Sequence, residues 1–411
     1  MEDRIVENLR DGKLVIWEEV ARDGAQAKTL MTGVERIQVA KSTAKIFGDS
    51  AADHLIFAAG FPSIFGSEFE IIRMLVDHVD ECQLAVNGRA IREEVDLCMR
   101  AIRGAKFPRV AIVVPGSEIL SQTMLHQSLA NGLAKEVDIL KYALDQADGI
   151  PVDVQIADVF SSDPAMIAES VNKFLEAGVA TIGLGDSLGK MYPNEIKTFI
   201  EKLKKNIPAD TMLSTHFHND LGLALTNNLE AIKQGALLIS TSWLGLGERS
   251  GLLPTEILLF LMSFEKEKLV DRFGLSSSDL FNTDLNLKEI IETAGLVSKF
   301  TGVEPKISDP IVGTGVNSIS TGTPFVNPAA FQPFDPEKIL GVKPKTYATQ
   351  LANHRIVRKV TTDLGFDLDA DQVGAVLKYI KTETYNRGEA IIPGPELSTF
   401  ISSMIQKTIY S

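Results

Sequence analysis

Short apolar runs alternate with longer stretches of helical periodicity from the N-terminus to about residue 264, the pattern of repeated strand-helix units on a parallel sheet. Eight runs read as strands: KLVIWEEV from Lys13, HLIFAAG from His54, CQLAV from Cys82, RVAIVV from Arg109, VDVQIA from Val152, ATIGLG from Ala180, MLSTHFH from Met212 and LLISTSWLG from Leu237. Each precedes a helix-like segment, among them GVERIQVAKSTAKIFG and NNLEAIKQGA. Glycines after several of these segments are stop signals, and Ser162-Asp163-Pro164 is a helix start. Eight such repeats over about 250 residues predict an α/β fold of the (β/α)8 TIM-barrel type, with a doubly wound open sheet as the alternative.

Beyond the barrel the pattern changes. A helical stretch continues to about Phe300, and a segment rich in Gly, Pro, Ser and Thr then runs to Lys345 and reads as a linker with turns. From Tyr347 the periodicity is helical again. The expected organisation is a catalytic barrel with a helical extension over 1–300, a linker and first subdomain over 301–345, and a helical second subdomain over 346–411.

Composition narrows the function. A formal net charge of -13 disfavours a nucleic-acid partner, which needs clustered Lys and Arg. Cys82 and Cys98 lack metal or disulfide spacing, the N-terminus lacks an apolar signal core, and no run reaches the roughly 18 apolar residues that span a bilayer. A cytoplasmic protein is expected, with no membrane partner.

The candidate chemistry lies at the C-terminal ends of the predicted strands, where barrel enzymes carry their active sites. The chain holds six histidines, and two of them, His216 and His218, stand one residue apart in STHFHND. Alternation along a strand turns both to the same side. Asp23, at the end of the first strand, would complete a set of two imidazoles and a carboxylate suited to Mn, Zn, Co or Mg, with positions left open for water and substrate. Arg22 would stand beside the ion as a fixed positive charge for a developing oxyanion. Asn219 and Asp220 are expected to support the ligands rather than bind the ion. Arg89, at the end of the third strand, is a candidate clamp for a second substrate carboxylate, Lys28 is a weaker one, and Glu248 and Arg249 are expected to brace the mouth as an ion pair between neighbouring strands.

The motifs RDGAQ, GFPS, GDSLG, HFHNDLGLALTNNLEAIKQGA and GLGERSG, in this order, resemble those of the metal-dependent acyl-CoA synthases and lyases that include isopropylmalate, homocitrate and citramalate synthases and hydroxymethylglutaryl-CoA lyase. The tail, from NPAAFQPFDPEKILGVKP through LANHRIVRKVTTDLG, is similar to the subdomains that follow the barrel in the synthases. GERSGLLP is closer to homocitrate synthases, whereas EVARDGAQ and LGDSLG look like the lyase. The resemblance implies a divalent metal held by Asp23, His216 and His218, with Arg22 polarising the keto group of a 2-oxo acid and Gln26 helping to position it. Asn219, Glu248 and Arg249 would contact substrate. Acetyl-CoA, or another acyl-CoA, would be the second substrate of an acyltransferase that releases CoA, and the protein would be a homodimer that exchanges its linker and tail. A carbon-carbon lyase is the alternative, and a non-catalytic metal- and oxo-acid-binding relative the third reading.

Departures from the resemblance concern the proton acceptor. The strand-five position of the family's glutamate is Ala157, and the linker GVNSISTGTPFVNP lacks the histidine that partners it. Ala25 and Ala58 replace two further acidic positions. Asp158, His126 and His354 are the candidate replacements.

Overall fold

The computed structural model describes residues 3–273 and 278–409, which form two compact units, Met1–Glu304 and Pro305–Ser411. In the first unit eight parallel strands close into a barrel: β1 Val15–Glu18, β2 Leu55–Gly60, β3 Gln83–Arg89, β4 Pro108–Pro115, β5 Val152–Ala157, β6 Ile182–Asp186, β7 Leu213–Phe217 and β8 Leu238–Thr241. Closure is made by β1 pairing with β8, Val15 opposite Leu238 through Glu18 opposite Thr241, which excludes the open sheet.

Alternation divides each strand between two surfaces. Val15, Trp17, Ile56, Ala58, Ala85, Ala111 and Leu238 pack together inside the barrel, and Ile5 and Leu9 of the helix Arg4–Arg10 join them from below. Small residues from β2, β3 and β4 make room for the Trp17 indole, as a filled barrel interior requires. At the lower end Arg109, fully buried, is held by Asp153 at 2.6 Å and Asp3 at 2.7 Å and also donates to Gln83. A buried guanidinium is tolerated because its donors are met by carboxylates and an amide.

The helix starts follow the sequence signals. Thr32 and Glu35 form a reciprocal cap on the helix Gly33–Phe47, and Asp163 accepts from Ala165 N–H ahead of Pro164. Gly178, at φ 109°, ends that second helix in a conformation that favours glycine. Several strands are shorter than expected, β1 among them at Val15–Glu18. β7 ends at Phe217, because His218 turns to an antiparallel bridge with Leu252. β8 ends at Thr241, because Leu244 and Gly245 adopt positive φ in the turn that follows.

The second unit is built round the helices His354–Asp363, Ala370–Arg387 and Gly394–Ile409. Ile356, Val360, Val373, Val376, Ile380, Leu397 and Ile401 form its apolar centre, and Ile319 and Phe325 of the turn-rich segment pack into the same cluster. A two-residue pairing of β9 (Ser318–Ile319) with β10 (Lys345–Thr346) anchors that segment. No helix among the described residues is long and apolar enough to cross a membrane.

Candidate metal centre and active site

The mouth of the barrel is built on the turn after β1. Gly24 N–H donates to Glu19 C=O at 3.0 Å, folding the chain back so that Arg22 and Asp23 stand over the strand ends. Asp23 is fastened from three sides: Gln26 Nε2 donates to Oδ1 at 3.0 Å, Arg22 Nη1 to the same oxygen at 3.3 Å, and Glu248 N–H to Oδ2 at 3.1 Å. Gly247 is required for this approach, because a Cβ there would lie 2.5 Å from Asp23 Oδ2 and 3.0 Å from the Gly251 Cα.

His216 is the penultimate residue of β7, and His218 lies one step past the strand, where its N–H donates to Asp186 C=O at 3.2 Å. Their rings meet edge to face with centroids 5.2 Å apart. One donor atom from each of Asp23, His216 and His218 falls within 4.8 Å of the other two. This spacing suits a common divalent ion, and the donor set of two nitrogens and one carboxylate oxygen suits Zn, Mn or Co. His216 has the second partner expected of a metal-binding histidine: Nδ1 lies 3.5 Å from Glu19 Oε1, leaving Nε2 toward Asp23 at 4.0 Å. Buried His218 Nδ1 has no partner among the described residues. Burial, with the neighbouring His216, holds the His218 pKa down at about 4, so the ring is neutral and ready to ligate at physiological pH.

Glu18, the last residue of β1, and Glu19, the next in the chain, are driven in opposite directions. Burial pushes the Glu19 carboxyl up, but Arg22 and His216 more than offset it and hold it at about 2. Arg22 donates to Glu19 through Nε at 2.8 Å and Nη2 at 2.9 Å, a bidentate grip that keeps the guanidinium beside the metal donors. Glu18 faces the other way, into the layer between β1 and the helix Thr255–Ser263, where no cation meets it. Burial there raises its pKa to about 8, against hydrogen bonds from Thr255 and from Val20 and Trp243 N–H.

A cavity of about 380 Å³ opens over the trio. Arg22, Asp23, Gln26, His216, His218, Glu248 and Arg249 all line it, together with apolar residues such as Val113, Met124 and Leu188. Other residues singled out from the sequence stand elsewhere. Asn219 is turned to the backbone, accepting from Ala224 N–H at 3.1 Å. The Arg89 guanidinium is held by Glu94, at 2.7 Å through Nε, and is not among the cavity's lining residues, so its charge is already met. Arg249 is bound bidentately by Asp220 at 2.9 and 3.0 Å, with Glu248 at 3.5 Å, so the main brace runs to the loop after β7 rather than to Glu248. Lys28 follows the first turn at φ 65° and is outside the lining.

Of the candidate proton acceptors, none is among the lining residues. Asp158 is buried and accepts from Ser161 Oγ at 2.8 Å, while Ala157 lines the cavity. His126 ends the helix Glu118–Leu125, whose Leu120 and Met124 line it. His354 is an exposed first residue of a helix in the second unit. Three contributors were not singled out from the sequence: Glu19, Asn87 and Gln155. Their signal was a polar side chain at an inward position of an otherwise apolar strand.

Two substitutions separate the glutamates. Glu19→Gln is expected to weaken metal binding by about 10–100-fold, read by competition with a chromophoric chelator, because it discharges the partner of both Arg22 and His216. Glu18 binds a proton in the folded barrel but not in the unfolded chain between its ordinary value of 4.5 and about 8, so its contribution to stability is complete below that window and is lost as pH rises through it. Glu18→Gln is expected to remove this decline without altering metal affinity. Trp17 and Trp243, both in the barrel and the only tryptophans of the chain, report its urea midpoint at pH 5 and pH 8 by fluorescence.

The HMGL-like family profile matches residues 5–297. The chain is 27% identical over 377 residues to 2-isopropylmalate synthase 1 of Caldanaerobacter subterraneus subsp. tengcongensis, covering 90% of each chain. It is 27% identical over 402 residues to 2-isopropylmalate synthase of Dictyoglomus turgidum, covering 96% of this chain and 76% of that one. The HMG-CoA lyase of Brucella melitensis shares the fold, with a TM-score of 0.54 and 18% identity over 71% of this chain and 99% of that one. The closed eight-strand barrel, and a profile match over well more than half of its length, make this chain a member of the HMGL-like family.

Proposed function

We propose that the protein is a divalent-metal-dependent condensing enzyme that joins an acyl-CoA, acetyl-CoA in the simplest case, to a 2-oxo acid and releases CoA. The observation that carries this reading is the convergence of Asp23, His216 and His218 beside Arg22 in a cavity large enough for a small acid. The two relatives named 2-isopropylmalate synthase support it, since their similarity extends through the second unit as well as the barrel. A divalent ion held by the trio would supply a Lewis acid for the keto oxygen and a site for the adjacent carboxylate.

The remaining work falls to the chain. Arg22, kept charged and aimed by Glu19, stabilises the keto oxygen as it becomes an alkoxide. Gln26 fixes the Asp23 carboxylate and so the orientation of the acid. A base removes a proton from the acyl methyl group, the resulting carbon forms a bond with the keto carbon, and the alkoxide takes up a proton. Water then cleaves the thioester C–S bond, leaving a carboxylate and CoA thiol. Ala157 supplies no base, and Asp158 is committed to Ser161, so the proton acceptor assigned here is His126, at the end of the helix that carries Leu120 and Met124. His354, in the second unit, would serve from the exchanged tail of a homodimer, which is part of the same proposal.

A second reading, cleavage of a carbon-carbon bond at the same centre, is favoured by Ala157, because retro-aldol chemistry does not need a base for an acyl methyl group. Thiol release separates the two. Stripped protein refilled with Mn, Mg, Co or Zn is expected to release free thiol from acetyl-CoA with one member of a 2-oxo acid panel. His216→Ala and Asp23→Ala should abolish release, and Arg22→Ala should lower kcat by about 10²–10³-fold. Silence across the panel, with cleavage of a 3-hydroxyacyl-CoA, would replace the synthase by the lyase. His126→Ala is expected to lower kcat for thiol release by about 10²-fold or more; an unchanged kcat moves the role to another group.

A further inference from the structure

Opposite the metal donors the cavity has a second polar face. The donors stand on β1 and β7, which flank β8, whereas Asn87 belongs to β3 and Gln155 to β5, on the other side of the closed barrel. Asn87 shares the inward face of β3 with Ala85, a member of the barrel's apolar interior. It is 1% exposed, yet neither its amide nitrogen nor its amide oxygen has a partner among the described residues. Gln155 Oε1 is likewise buried and unpartnered. Both residues line the same cavity as the trio.

Space for the Gln155 amide is reserved by its neighbour. Gly183 is its register partner on β6, and a Cβ there would lie 1.8 Å from Gln155 Oε1. Any other residue at 183 would expel the amide from its position. Buried amide atoms are nearly always hydrogen-bonded, and those left unpartnered on two residues that line one cavity are groups that a ligand or a water can satisfy.

The charge around them limits what that ligand is. Of the cations lining the cavity, Arg22 is held by Glu19 and Asp23, and Arg249 by Asp220 and Glu248. Arg89, which would have met a second carboxylate, is held by Glu94 outside the lining. A second carboxylate at the far end of the acid would therefore face neutral amides with no free countercharge, and a purely alkyl end would leave the amides unpaired.

We infer that Asn87 and Gln155 recognise the far end of the substrate, and that this substrate is a 2-oxo acid whose side chain ends in a neutral hydrogen-bonding group such as a hydroxyl. This rests on the assignment of a 2-oxo acid to the metal side of the cavity. An acid chelated between β1 and β7 extends its side chain across the mouth toward β3 and β5, where an amide can both donate to and accept from a hydroxyl.

The test is calorimetric binding to Mn-loaded protein without acyl-CoA, using 4-hydroxy-2-oxobutanoate, its methyl analogue 2-oxopentanoate, and 2-oxoglutarate. The hydroxy acid is expected to bind at least about tenfold tighter than either other acid. Asn87→Leu and Gln155→Leu should each remove that preference while leaving 2-oxopentanoate within about threefold of its wild-type affinity. Should Asn87→Leu fail to fold, Gln155→Leu alone decides. Equal or tighter binding of the alkyl or dicarboxylic acid, with thiol release intact, overturns this specificity but not the condensing function. Absence of binding by every 2-oxo acid to metal-loaded protein overturns both.

Discussion

A carboxylate with almost no access to water, Glu19, is kept ionised at the mouth of this barrel, and the arrangement around it depends on that charge. Burying an anion is costly unless its partners are fixed and close. Here Arg22 grips it with two nitrogens and His216 approaches it through Nδ1. The one anion thus sets three things together: the place of a guanidinium, the tautomer of an imidazole, and the direction in which Nε2 is offered. Without it, Arg22 would keep only its 3.3 Å contact with Asp23, and His216 Nδ1 would lose its partner.

The neighbouring glutamate shows that residue type alone does not decide such behaviour. Glu18 and Glu19 are the same side chain one residue apart, but the strand sends them to opposite surfaces. One meets an arginine and is drawn well below the usual carboxylate range; the other meets hydroxyls and backbone N–H groups and is pushed above it. Burial raises both: the hydroxyl and N–H donors around Glu18 lower its pKa without offsetting that burial, whereas the charges of Arg22 and His216 more than offset it at Glu19.

The same distinction explains what was legible in the sequence. The eight strands were visible because both sides of a barrel strand are buried, which leaves apolar runs that polar helix faces interrupt. The trio was visible because its members sit at strand ends with rare residue types at strand spacing. Partners were not visible, since they are decided by three-dimensional closeness: Glu94 holds Arg89 outside the cavity lining, Asp220 grips Arg249 at the cavity wall, and Ser161 donates to Asp158. Asn219, next to two metal-ligating candidates, reads as a site residue, yet it serves a helix start. Asn87 and Gln155 read as ordinary strand residues, because a strand position only becomes chemical once it is known to lie above the packed layers of the interior.

The two halves of the mouth therefore differ in kind. On the side of β1 and β7, positions are locked by a charged network in which each group needs the others, so few substitutions leave the geometry intact. On the side of β3 to β5 the lining is neutral: Asn87, Val113 and Gln155 project from rigid strands, and none of them takes part in the ionic network around Glu19. In the proposed reading the chemistry stays with the charged side and the choice of substrate with the neutral one, and Val113, Met124 and Leu188 line the cavity that both sides share.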